Sequence, residues 1–299
     1  MMMKSLFAFM AFTVLFTVSA AFAGPHGQEN PDRTGILIAS FGTSMPEARK
    51  AIDNLVDSAK KSFPDAEVRL AFTSNIIRRK IAREQNIEVP TPVEALAKMN
   101  DEGFTHVYVM PTHIIPGEEY DEMRNVVDAF ASLKGKYGFK RIELGTPYLH
   151  SVPDCDRMAR ILMDRFAPYL KQRGTAIVLM GHGTPHHIAN AMYSQLQLSL
   201  DRAAHGKFFL GTVEAAPTIE DVIRELKRNP SIRKLVISPL MIVAGDHANN
   251  DLAGADDDES WLNLLKKAGY RNIEPYLVGL GEDPQMAKVF VDRIREMMR

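Results

Sequence analysis

Three side chains able to ligate a metal and accept a proton each follow a short apolar run: His182 in Met-Gly-His-Gly-Thr, Glu214 in Gly-Thr-Val-Glu-Ala-Ala-Pro, and His247 in Ala-Gly-Asp-His-Ala. Imidazole and carboxylate together make a borderline-soft donor set that accepts cobalt, iron, nickel or zinc and leaves positions open for a substrate. The glycines beside His182 let the backbone turn sharply out of a strand and admit a ligand closely. Asp246 or Asp251 can accept the second N–H of His247, as metal-binding imidazoles require. Each residue also has an ordinary structural reading: a strand-end histidine paired with a carboxylate, or, for Glu214, a charge at the start of the helix opened by Pro217 and Thr218. Their joint placement at three strand ends favours a site. His186 and His187 follow His182 closely, at a helix start, and read as rim residues or secondary ligands.

The elements that must position them are legible as apolar runs at 35–39, 68–72, 106–110, 176–180, 208–210 and 235–237, separated by stretches of helical period. Such alternation predicts an α/β protein with parallel sheets covered on both faces, the doubly wound arrangement. The two halves also repeat. Ile38-Ala39-Ser40-Phe41-Gly42-Thr43 matches Leu179-Met180-Gly181-His182-Gly183-Thr184, and the segment 109–119 matches 237–247 with its Pro and Gly in register. His182 thereby faces Phe41, Glu214 falls near Thr73 and Ser74, and His247 faces Glu119. We expect two similar domains facing a central cleft, with the triad on the second, because ligands of open α/β sheets bind beyond the carboxyl ends of the strands. The expected spans are 35–150 for the first domain, 151–174 for a connecting helix and 175–283 for the second domain. The helix 284–299 is expected to pack back on the first.

The N-terminus reads as a secretory leader, 1–23: Lys4 precedes an apolar stretch from Leu6 to Val18, closed by Ala21-Phe22-Ala23. An extension, 24–34, follows, and a periplasmic location is expected. Removing Lys4 leaves 35 basic against 37 acidic residues, a formal charge of -2, with neither sign concentrated. That balance argues against nucleic acid as a partner, and the leader's apolar core is too short to make the chain an integral membrane protein. The single cysteine, Cys155, excludes an intramolecular disulfide and sits in a stretch of helical spacing, where a structural role is expected. The acidic run 256–259 reads as solvated charge at a helix start. No P-loop, Gly-x-Gly-x-x-Gly, Gly-x-Ser-x-Gly or Cys-x-x-Cys occurs.

The combination of Gly181-His182-Gly183-Thr184, Glu214 three residues before Pro217, and Gly245-Asp246-His247-Ala248 with Asp251 following resembles the anaerobic-type sirohydrochlorin cobaltochelatases, which are class II tetrapyrrole chelatases. The resemblance covers essentially all of the chain after the leader, including Phe41-Gly42-Thr43-Ser44 in the first half. It implies insertion of Co(II), or Fe(II), into sirohydrochlorin, with His182, Glu214 and His247 as metal ligands and proton acceptors. The metal is then a substrate, and no organic cofactor is required. Phe41, Thr43, Ser44, Arg78, His186 and Asp246 are the expected substrate-binding residues, with Arg and Lys at the rim pairing with the substrate's carboxylates. The alternative is a periplasmic protein that binds and delivers a metal or tetrapyrrole. In that reading haem could occupy the cleft, with His106 or His113, read as surface histidines, as an axial ligand. A zinc hydrolase is a third reading of the same ligands. A homo-oligomer is compatible with the sequence, which does not specify one.

Overall fold

A computed structural model of the chain describes residues 31–299. The expected leader, 1–23, and residues 24–30 of the expected extension lie outside them. Asp32–Arg299 form one compact unit.

Two four-stranded, wholly parallel sheets are built alike. The first contains β1 (Thr34–Ser40), β2 (Glu67–Phe72), β3 (His106–Pro111) and β4 (Arg141–Leu144), in the order β2-β1-β3-β4. The second contains β5 (Thr175–Gly181), β6 (Phe208–Thr212), β7 (Lys234–Pro239) and β8 (Asn272–Pro275), in the order β6-β5-β7-β8. Side chains alternate across a strand, so a strand covered on both faces must be apolar throughout. Along β1, Ile36 and Ile38 enter one core while Leu37 and Ala39 enter another. Along β5, Ile177 and Leu179 join the core of Ile36 and Ile38, whereas Ala176, Val178 and Met180 face a third. The inner faces of both sheets therefore share one core, and each sheet keeps a second core on its outer face.

The helices that follow the fourth strands are exchanged. Helix Val152–Arg165 comes after β4 but packs against helix Ala191–Ala204 of the second half. Helix Pro284–Met297 comes after β8 but packs against helix Pro46–Ser62 of the first. Each returns a buried arginine across the junction. Arg293 donates to the carbonyls of Thr146, Pro147 and Tyr148 and pairs with Asp154 at 2.7 Å. Arg165 donates to the carbonyls of Val278 and Gly279 at 2.7 and 3.1 Å and lies 3.5 Å from Asp283. Cys155 is buried in this shared core. Its thiol is pushed up to about 12, first by burial and then by Asp154 and Asp156, so it is a packing group and not a nucleophile.

Candidate active site

The first and fifth strands both end in a sharp turn that needs glycine. Gly42 and Gly183 have φ of 97° and 86°, the left-handed region. A Cβ on Gly183 would lie 3.0 Å from the Cβ atoms of Ala215 and Thr212. Beyond the turn the ladder of β5 and β6 continues for two bonds, Val213 N–H to the Gly181 carbonyl and Glu214 N–H to the His182 carbonyl. This lays Glu214 beside His182, with its Oε2 3.8 Å from Nδ1. The following helix, Ile219–Lys227, has its own cap in Thr218 and Asp221, so the Glu214 carboxylate is not needed there.

His247 caps a single wide turn, Ala248–Leu252, of π-helical form. One turn on, Asp251 Oδ2 lies 2.5 Å from His247 Nδ1. The rings of His182 and His247 meet edge to face, with centroids 4.7 Å apart and planes at 83°. His182 Nδ1 lies 2.9 Å from the Gly183 carbonyl oxygen. A carbonyl only accepts, so Nδ1 carries the proton there, and the Nε2 lone pair is left for a metal or a proton. Asp251 orients His247 in the same sense. Among the described residues no three His, Cys, Asp or Glu side chains already form a metal cage. His182, Glu214 and His247 are each more than a third exposed, so an incoming ion can reach them.

These residues line a cavity of about 280 Å³ whose walls come from both halves. Most of the lining is apolar: Phe41, Ile114 and Ile115 from the first half, Leu240, Met241 and Ile242 from the second. The first half also supplies His113 and Glu119, with Nε2 and Oε2 3.0 Å apart. His113 Nδ1 is buried with no hydrogen-bond partner. Tyr193 lies beneath the His182 turn, and burial pushes its hydroxyl up to about 12, so it stays protonated.

The other expected residues fall into separate groups. Phe41 lines the cavity and is 43% exposed, the apolar counterpart of His182. Thr43 is buried at the junction between the halves: a Cβ on Gly245 would meet its Oγ1 at 3.4 Å, just as one on Gly117 would meet Thr184 Cγ2 at 3.5 Å. Ser44 uses its carbonyl to hold Gln85. Arg78 is not a rim cation, because its guanidinium is spent on the Val89 carbonyl, Asn75 and Glu94. Asp246 is exposed and accepts from Asn250, leaving the orienting role to Asp251. His186 is exposed outside the lining, whereas His187 reaches the first half, where its Nε2 lies 3.1 Å from Asp121 Oδ2. His106 opens β3, at the end opposite the cleft, and lies 3.0 Å from Thr105. His113 is not a surface residue either, its side chain being 11% exposed and engaged with Glu119. The two histidines expected at the surface as haem ligands are thus only partly exposed, His106 away from the cleft and His113 in its wall. The sequence suggested His113 only as a surface haem ligand and did not single out Glu119 as a site residue, although the internal repeat set Glu119 opposite His247.

Residues 34–299 match the cobalt chelatase family CbiK. The chain belongs to that family. It is 34% identical over 270 residues to the sirohydrochlorin cobaltochelatase of Salmonella typhimurium, covering 89% of this chain and 97% of that one. It is 33% identical over 262 residues to the sirohydrochlorin cobaltochelatase CbiKC of Nitratidesulfovibrio vulgaris, covering 88% and 89%. Two solved chelatases share the fold of this CbiK-family chain at low identity. SirB from Bacillus subtilis with Fe3+ gives a TM-score of 0.57 at 17% identity, over 88% of this chain and 95% of that one. CbiX, described as the terminal enzyme for biosynthesis of siroheme in denitrifying bacteria, gives 0.56 at 16%, over 88% and 99%. The duplicated α/β architecture is therefore that of the chelatases.

Proposed function

We propose that this CbiK-family protein inserts Co(II) into sirohydrochlorin. The observation that carries the reading is the pair of imidazoles, His182 and His247, meeting at 4.7 Å with Glu214 beside them on one wall of an apolar cleft. Insertion exchanges two pyrrole N–H protons for one divalent ion, so the site must deliver a metal and remove two protons. Nε2 lone pairs and a carboxylate do both: they can hold the ion, and they can accept protons. The opposite wall offers Glu119, hydrogen-bonded to His113, as a second acceptor facing the other side of a sandwiched macrocycle. Largely apolar walls would position the ring. Cobalt is favoured over iron by the two relatives' names, and the donor set itself accepts either.

For the segment outside the described residues, we propose export to the periplasm, supported by Lys4, the apolar stretch after it and Ala21-Phe22-Ala23. Among the described residues no helix is long and apolar enough to cross a membrane.

The test is the optical spectrum of sirohydrochlorin and Co(II) with a catalytic amount of protein. Repeated turnover in the wild type, lost in His182→Ala, is the expected result. Macrocycle bound one-to-one and metallated only at the uncatalysed rate would reject the enzyme and leave a delivery protein.

A further inference from the structure

A polycarboxylate substrate poses a charge problem for this cleft. Its lining carries three carboxylates, Glu118, Glu119 and Glu214, and no lysine or arginine. Those glutamates attract an incoming metal ion but repel the substrate's carboxylates. A cation beside the cavity would offset that repulsion. The segments that border the cavity, extended by four residues on either side, contain a single Arg or Lys, which is Arg124. The cation expected there from the sequence, Arg78, is consumed by three partners of its own.

Arg124 lies on helix Glu118–Ser132, one turn after Tyr120, and its guanidinium carbon sits 4.9 Å from the centroid of the Tyr120 ring. Tyr120 is a lining residue and is 4% exposed, so its ring holds the guanidinium beside the cavity wall. The Arg124 side chain is 49% exposed, and among the described residues its ion-pair partner is Asp121 Oδ1, 4.0 Å away and too far for a hydrogen bond. The other oxygen of Asp121 is engaged at 3.1 Å with His187 from the second half, which keeps this carboxylate from closing on Arg124. A guanidinium over an aromatic face retains its fork of N–H donors for a carboxylate.

We infer that Arg124 binds a peripheral carboxylate of the tetrapyrrole at the mouth of the cleft and so selects polycarboxylate macrocycles. The inference rests on the proposed chelatase function and adds the residue that recognises the substrate's charge. No bond is made or broken by it. The contact forms on binding and is kept through metal insertion, which makes Arg124 a binding residue and not a catalytic one.

Steady-state kinetics with sirohydrochlorin and Co(II) on the full chain, wild type against Arg124→Met and Arg124→Lys, would test it. The KM for sirohydrochlorin should rise roughly 3- to 10-fold in Arg124→Met, as for a half-exposed charge-assisted hydrogen bond. The value of kcat and the KM for Co(II) should not move, and lysine, which keeps the charge without the fork, should recover part of the loss. Raising the salt concentration should weaken wild-type binding more than binding by Arg124→Met. An unchanged sirohydrochlorin KM, or a fall confined to kcat, would overturn the inference. Titration of macrocycle fluorescence keeps it separate from the chelatase reading. If the wild type binds sirohydrochlorin but never turns over, that reading fails, while weaker binding by Arg124→Met still supports the contact and equal binding still rejects it.

Discussion

The same four-stranded unit is used twice in this chain, yet only the second copy carries the proposed ligands. The backbones are equivalent down to single hydrogen bonds: Ser74 N–H binds the Phe41 carbonyl as Glu214 N–H binds that of His182. In the first half that position is spent at once on starting a helix, with Ser74 as the cap of Asn75–Gln85. In the second, Glu214 stands four residues before the cap Thr218, so its side chain is free for chemistry. The Phe41 and His182 turns differ in the same way, one giving an apolar wall and the other a donor. Strands and glycines preserve the geometry, and the residues just past the strand ends set the work of each copy. The result is a wall carrying the proposed metal ligands, facing a largely apolar wall whose titratable groups include His113, Glu118 and Glu119.

That asymmetry can be broken first at the two matched turns. His182→Ala should lower kcat/KM for cobalt insertion by about 10²- to 10⁴-fold, the range for a positioned proton acceptor, whereas Phe41→Ala should act mainly on the KM for the macrocycle. Equal losses in kcat at both positions would mean that the walls share the chemistry.

Next in size is the helix exchange. Arg293 and Asp154 are only 6% and 13% exposed, so Arg293→Met leaves a carboxylate and several carbonyls unpaired and should cost about 3–5 kcal/mol in urea unfolding. Arg165→Met removes a looser pair at 3.5 Å and should cost less. The reverse order would show that the second junction holds the halves together.

A smaller effect separates the two aspartates near His247. Asp251→Asn should weaken cobalt binding, followed by calorimetry, about 10- to 100-fold through loss of the imidazole's orienting partner. Asp246→Asn should leave it unchanged.

The smallest effect belongs to Cys155. Its ordinary value is 9.0, and burial, followed by Asp154 and Asp156, raises it to about 12 in the fold. The folded state therefore keeps the thiol protonated where the unfolded chain would ionise it. That contribution is fully present below pH 9 and is lost as pH rises towards 12. Cys155→Ala should flatten this part of the stability curve, and a thiol reagent should label the wild type only on unfolding.

Much of this was legible in the sequence. Parallel sheets buried on both faces require strands with no polar alternation, and runs such as Ile36–Ile38 and Ile177–Leu179 show that directly. The duplication was legible too, because glycine at Gly42 and Gly183 is demanded by backbone sterics in both copies. His182, Glu214 and His247 could be named because strand-end loops lie where open sheets bind ligands. Partnerships between side chains were not legible. Nothing in the spacing distinguished Asp251 from Asp246 beside His247, or showed that Arg78 would be consumed by Val89, Asn75 and Glu94.

The sequence by itself thus determined six of the eight strands of the described residues, the repeat and which half holds the proposed donors, since hydrophobic period and glycine requirements act locally along the chain. Only the tertiary structure decided that helices Val152–Arg165 and Pro284–Met297 change places, that His113 and Glu119 share a cavity with His182, Glu214 and His247, and that Arg124 stacks on the lining residue Tyr120. Those outcomes depend on which distant surfaces pack together and which charges meet when they do, and the spacing of residues along the chain carries neither.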